Sequence, residues 1–348
     1  MPHSSQMQIE FQVPETATSN ERNGRLPTVQ IARRVIGNIV EGALNYQGEE
    51  TGEALIGLTQ TNDARNPELY VLDTIAPVEG TIRAWAMFEQ GDDWQGAIFQ
   101  WLFENWEEYR TLRRRSYGNV VAGKWDVPLQ HLGDWHKQPG MIKPSQGDLQ
   151  TARRYMRELQ LDYLLTPIAT LADEISAPIA ANTVQASLET HSAAVRIDFW
   201  WIRRRGSDFE AIQPVLVEDE DLPRLPPIAW WLANREEFDQ EMAKLEAAGL
   251  QVLDVAFCNV RGHPPLDTAL TIYRPGTRHV LLAITPVNYP FREPGWRIAP
   301  IIRPEEGQDF FHSLYNVSSE ISSDVLPTWQ KGMSLLDGFK AIEEHQGL

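Results

Sequence analysis

Cysteine is almost absent from this chain of 348 residues. Cys258 stands alone, which excludes an internal disulfide and a cage of cysteine ligands around a metal. Long apolar runs are missing too: no stretch of 18 apolar residues occurs, and the N-terminus has no apolar signal core. The expectation is a soluble, cytoplasmic protein with no membrane partner. Basic residues are outnumbered, with 31 lysines and arginines against 48 acids and a formal charge of −17. Such a chain repels phosphate backbones, so nucleic acid is not an expected partner.

What is present is enough for packed cores. Hydrophobic residues make up 42 % of the chain, and the length points to two domains. Residues 1 to 27 are polar, lack periodicity and read as a flexible tail. From Val29 to Gln47, Ile31, Val35, Ile39 and Ala43 recur at helical spacing, and Gly48 suits the helix end. The apolar runs Ala54–Leu58 and Leu69–Ile75 read as neighbouring strands. Trp94, Ile98, Leu102, Trp106 and Tyr109 form the apolar stripe of a helix over residues 92 to 115, closed by Arg113, Arg114 and Arg115 at the end where cations favour the helix dipole.

The densest chemistry lies between His131 and Asp148. Pro139 and Pro144 rule out a continuous helix there, so the stretch reads as a strand carrying His136 into a turn, then a helix beginning near Ser145. His136 and Gln138 are two apart and leave the same face of an extended strand. Ser145 and Asp148 have capping-box spacing. They also bring a carboxylate close to the His136 face, and a histidine and an aspartate converging from a strand and a helix start can make part of a zinc site. His131 is five residues from His136 and in a regular strand faces the other side, as a satisfied or exposed histidine.

The run His136-Lys137-Gln138-Pro139, followed by Ser145-Gln146-Gly147-Asp148, resembles the JAMM/MPN metalloproteases that remove ubiquitin-like modifiers. Their pattern is His-x-His-Pro, a loop, and Ser-x-x-Asp. Upstream, Glu50-Thr51-Gly52-Glu53-Ala54-Leu55-Ile56-Gly57 is similar to the family's glutamate segment. The match spans residues 28 to 218 and departs at Gln138, where the family has its second histidine. The resemblance implies a zinc ion on His136 and Asp148 with Gln138 in the third position. It also implies Glu50 as the general base that serves the metal-bound water and Ser145 as the oxyanion donor. The implied partners are a ubiquitin-like protein or its conjugates, and its conjugation enzymes, in a prokaryote-style conjugation system.

Beyond Asp148 the helix continues to Leu159, Tyr163–Leu171 reads as a central strand, and Ile175–Leu188 is left unassigned. Val195, Ile197, Phe199 and Trp201 alternate as a strand, which Val215–Val217 is expected to join. The fold class is thus α/β (α+β): a mixed sheet with flanking helices over 28–218, then a smaller α+β domain. Glu218 to Pro227, acidic with three prolines, reads as a solvated linker over 219–227.

The segment 228–348 opens with an Asn234/Glu237 cap and a helix stopped by Gly249. Three antiparallel strands follow at Leu250–Cys258, Thr268–Tyr273 and His279–Thr285, then Tyr289-Pro290-Phe291 with Pro294. Trp329 leads into a last helix carrying Leu335, Leu336, Phe339 and Ile342. This order resembles the ubiquitin-conjugating-enzyme fold and its inactive RWD and ubiquitin-variant relatives. No cysteine follows Phe291, and Cys258 reads as a small buried hydrophobe. Three functional classes remain open: a JAMM-type isopeptidase, a metal-free module that binds a modifier or its conjugation enzymes, and a metal hydrolase for an unrelated small amide.

Overall fold

Ala54, Leu55, Ile56 and Leu58 are buried on both faces of one strand, Gly52–Gln60, as a central strand requires. It pairs antiparallel with Glu68–Ile75 on one side and Leu129–Lys137 on the other. The computed structural model describes residues 9–12, 26–46, 48–60, 67–77, 82–84, 87–89, 93–189, 191–303 and 307–347. These residues divide into two compact units, Met1–Gly96 with Val120–Leu225 and Ala97–Asn119 with Pro226–Leu348. Among the described residues no helix is long and apolar enough to cross a membrane.

The first unit is built on a mixed sheet of twelve strands. Its main path runs Ile9–Gln12, Thr183–Leu188, Ala194–Asp198, Ile168–Leu171, Leu129–Lys137, Gly52–Gln60, Glu68–Ile75, Thr28–Ala32 and Pro214–Val217. Helix Arg33–Asn45 buries Val35, Ile36, Ile39, Val40 and Ala43. Its Gly42 comes so close to Trp135 that a β-carbon there would lie 3.0 Å from the indole. Helix Gln146–Glu158 packs Leu149, Ala152 and Met156 with Leu164 and Ile202. An α+β class with a mixed sheet and flanking helices is what the sequence led us to expect.

Several local expectations change. Val29 and Ile31 belong to the strand Thr28–Ala32, and the helix starts only at Arg33; two parallel neighbours, Glu68–Ile75 and Pro214–Val217, outweigh the helical spacing. The residues Val215–Val217 therefore pair with Thr28–Ala32 and not with the 195–201 strand. Thr183–Leu188 is a strand within the unassigned stretch, and Tyr163–Leu171 splits into Tyr163–Leu165 and Ile168–Leu171. Within the expected tail, Ile9–Gln12 is a strand antiparallel to Thr183–Leu188; residues 1–8 and 13–25, like Gln47, lie outside the described residues. The tryptophan-rich helix runs Asp93–Ala122, so Arg113 to Arg115 lie within it and do not end it.

The acidic, proline-rich stretch is not free up to Pro223. Arg34 Nε donates to Leu72 O at 2.8 Å, Nη1 to Asp219 O at 3.0 Å and Nη2 to Pro223 O at 3.0 Å. Leu222 is buried. Arg34→Ala should leave these carbonyls without their donor and speed tryptic cleavage after Arg224 severalfold in a timed digest, whereas the wild type stays protected there.

In the second unit, helix Arg235–Ala247 is capped by Asn234, whose side chain accepts the Glu237 N–H at 3.1 Å. Gly249 ends it at φ +76°. The expected meander is present as Gln251–Cys258, Asp267–Tyr273 and His279–Thr285, extended by Gly295–Pro300 and Ser319–Glu320. Residues 97–119, expected in the first domain, belong to this unit: Trp101 donates to Pro227 O at 2.9 Å, and Asn105 Oδ1 accepts the Leu266 N–H at 2.8 Å. Buried Glu241 accepts the Tyr289 hydroxyl at 3.0 Å and the Leu335 N–H at 2.8 Å, which ties the Tyr-Pro-Phe turn to the start of helix Leu335–Gln346.

Cys258 lies in an apolar cluster with Ala269, Val280, Leu282 and Phe311. Burial, with Asp267 nearby, pushes its thiol up to about 12. A thiol so held is not a conjugation nucleophile. Native protein at pH 8 should resist a thiol reagent that labels it fully in concentrated guanidinium, and Cys258→Ser should leave any activity unchanged.

Candidate functional site

Backbone pairing fixes the strand end that carries His136. Its N–H donates to Pro167 O at 3.1 Å, the Lys137 N–H to Thr51 O at 2.6 Å and the Gln138 N–H to Ala169 O at 3.0 Å. His136 and Gln138 thus share a face held from both sides. The turn beyond is pinned in place: the Thr170 hydroxyl donates to Gln138 O at 3.1 Å, Trp200 Nε1 to Ile142 O at 2.9 Å, and the Gly140 N–H donates to Glu174 at 3.1 Å. Helix Gln146–Glu158 then starts with a complete capping box, Ser145 Oγ accepting the Asp148 N–H at 3.3 Å and the Asp148 carboxylate accepting the Ser145 N–H.

Asp148 is the hub. Its Oδ2 accepts Gln138 Nε2 at 2.9 Å, and its Oδ1 lies 3.4 Å from His136 Nε2. Burial opposes charge on Asp148. The His136 ring and the Ser145 hydroxyl and N–H more than offset this, so its carboxyl is held well below the usual carboxylate range. Glu50 sits within electrostatic range of the pair. Burial raises its pKa, His136 draws it down and Asp148 pushes it up, and the net shift is upward. Among the described residues no hydrogen-bond partner meets the Glu50 carboxylate, which leaves it available to a small ligand.

Two buried side-chain atoms here lack a hydrogen-bond partner among the described residues: His136 Nε2 and Gln138 Oε1. Buried polar atoms are normally satisfied. One imidazole nitrogen, one carboxylate and one carboxamide oxygen fit a divalent cation with two strong ligands and one weak one. A half-turn of the Gln138 amide, which keeps its shape, brings Oε1 towards Asp148. Among the described residues no group of three or more His, Cys, Asp or Glu side chains could hold a metal.

The sequence-selected residues Glu50, His136, Gln138, Ser145 and Asp148 are brought together, and His131 is not. A bulge opposite Leu55 and Ile56 places His131 across from Ile56 and His136 across from Gly52, so the two histidines share a face, contrary to the regular-strand expectation. Gly133 at φ +145° makes the bulge possible. His131 is engaged elsewhere, with Nε2 3.0 Å from Asp134 Oδ1. Burial disfavours its charge, yet Asp134 outweighs burial and raises its pKa. Sequence reasoning missed Lys137 and Glu53, charged residues that alternation sends to the helix-covered face. Glu53 is held by Trp135 Nε1 at 3.4 Å.

No family model matches the chain. Nor does any curated protein. Among solved structures, the chain is similar to a protein of Desulfitobacterium hafniense known in solution, at 13 % identity and a TM-score of 0.28. The match covers 55 % of this chain and 94 % of that one, and at that score it carries no argument about fold or function.

Proposed function

We propose that the first unit is a metal-dependent hydrolase of the JAMM/MPN kind, which cleaves the amide or isopeptide bond joining a ubiquitin-like modifier to its partner in the cytoplasm. One observation carries this: the His136 ring and the Gln138 carboxamide flank Asp148, and His136 Nε2 and Gln138 Oε1 have no hydrogen-bond partner among the described residues. His136 and Asp148 would hold the cation, zinc by donor chemistry, with Gln138 completing the set. When bound, the ion polarises the scissile carbonyl and acidifies water.

The chain's own groups do the rest. Glu50, unpartnered and with a raised pKa, takes a proton from water and returns it to the leaving amine. Ser145 Oγ accepts the Asp148 N–H, so its own proton can serve the Asp148 carboxylate or a developing oxyanion. The second unit is read as a docking module for the modifier or its conjugation enzymes, without thioester chemistry.

A second reading has its own support. The Gln138–Asp148 hydrogen bond closes the cluster without a cation, as a metal-free recognition module would. Zinc per chain after chelator-free purification separates the two. Cleavage of a modifier fusion, compared with a small amide, then tests the substrate class. About one zinc with cleavage of the fusion supports the isopeptidase; no zinc and no cleavage at saturating metal overturn it in favour of recognition.

A further inference from the structure

Lys137 stands between His136 and Gln138 and points the other way. Alternation sends it to the face covered by helix Arg33–Asn45, where it is completely buried. Its Nζ donates to the carbonyl of Tyr46, the C-cap of that helix, while its backbone N–H donates to the carbonyl of Thr51. Those two carbonyls lie on either side of Glu50 in the chain. Tyr46 O also accepts the Glu49 N–H at 3.2 Å, so the oxygen that Lys137 grips also organises the approach to Glu50.

The chemistry explains why a cation is used. A helix C-terminus carries unpaired carbonyls and partial negative charge, and this helix has no basic residue in its own last turn. The strand supplies the charge from across the fold. Lysine is rarely buried completely, and an apolar side chain of similar length would fill the same space without donating to Tyr46. What the ammonium adds is a directed bond to the segment that presents Glu50.

We propose that Lys137 is a positioning residue that locks the Glu50 segment to the strand bearing His136 and Gln138, so that the proton-transfer carboxylate and the metal-binding groups keep a fixed separation. The inference rests on the hydrolase reading above. Its test uses the full chain, a fluorogenic C-terminal amide of ubiquitin as probe, and Lys137→Met, Lys137→Arg, Glu50→Gln and Lys137→Met/Glu50→Gln variants.

Lys137→Met should lower kcat about 100-fold with KM and zinc content unchanged, and Lys137→Arg should recover most of the loss. The double variant should be no slower than Glu50→Gln alone, because Lys137 acts through Glu50. Hydrogen exchange at the Glu49 amide should quicken at least about tenfold in Lys137→Met. Lys137→Gln, which keeps a donor but falls short of Tyr46, gives the same readings if the methionine variant folds poorly.

A kcat within twofold of wild type, or multiplicative losses in the double variant, overturns the assignment. Wild type that binds no zinc and cleaves nothing overturns the hydrolase reading instead. Glu49 exchange then decides the lock by itself, with unchanged exchange in Lys137→Met overturning it and quickened exchange supporting it.

Discussion

Gln138→His should bind zinc at least about tenfold more tightly than wild type, and Glu50→Gln should lose about 100-fold or more in kcat with zinc content unchanged. The Gln138 backbone is fixed by Ala169 and Thr170, so an imidazole there starts from the same point, on the His136 face, and replaces a weak oxygen donor with a good nitrogen one. The wild-type amide has to give up its bond to Asp148 before its oxygen can turn to a cation. Breaking such a charge-assisted bond costs about 1.5–3 kcal/mol, and the histidine variant avoids that step. Competition titration with a chromophoric chelator reads the affinity, and cleavage of a modifier fusion reads the turnover. If Gln138→His binds no more tightly and all three proteins are equally inactive, the cluster is not a metal centre one substitution away from the JAMM/MPN pattern, and metal-free recognition replaces it.

The grouping of His136, Gln138, Ser145 and Asp148 is legible in the sequence because its signals are local, whereas Glu50 is reached only through the family resemblance. Ser145 and Asp148 announce a cap at fixed spacing, Pro139 and Pro144 bound the turn, and two-residue alternation places His136 beside Gln138. Each depends on neighbours within a dozen residues. What failed depended on distant ones. Ile31 is in helical step with Val35 and Ile39, and only the pairing of Thr28–Ala32 with Glu68–Ile75 and with Pro214–Val217, the latter across nearly the whole unit, makes that stretch a strand. Nothing near Leu132 signals the bulge that turns His131, except that Gly133 tolerates a left-handed backbone. Arg34 looks like any surface cation until Asp219 and Pro223 come back to it.

Gly57→Ala should destabilise the first unit by about 3 kcal/mol or more. The glycine closes the upstream stretch shared with the JAMM/MPN pattern, yet its role is steric: a β-carbon would sit 1.9 Å from the Tyr70 carbonyl oxygen and 2.7 Å from Leu132 Cδ1. The leucine can shift. The Tyr70 carbonyl cannot, because it lies in a strand paired with both Gly52–Gln60 and Thr28–Ala32. Gly48, with nothing within 4 Å of its added β-carbon, is the control, and Gly48→Ala should stay within about 0.5 kcal/mol of wild type. Urea unfolding followed by tryptophan fluorescence measures both; equal midpoints for Gly57→Ala and wild type would show that the two backbones do not approach so closely.

The division of the chain into interlaced units sets a timetable for synthesis. Residues 97–119 leave the ribosome in the midst of the first unit, but the partners of Trp101, Asn105 and Glu108 are Pro227, Phe257, Leu266 and Asn259. At a typical rate of about 5–20 residues per second, that helix waits several seconds for its cover, with indoles destined for full burial still facing water. Meanwhile the first unit cannot complete its outer strand until Pro214–Val217 emerges. The nascent protein therefore passes through an interval in which neither half is closed, and chaperone capture should concentrate there. For the same reason, a gene cut at residue 225 yields a first half that carries an orphan helix and a second half that lacks one.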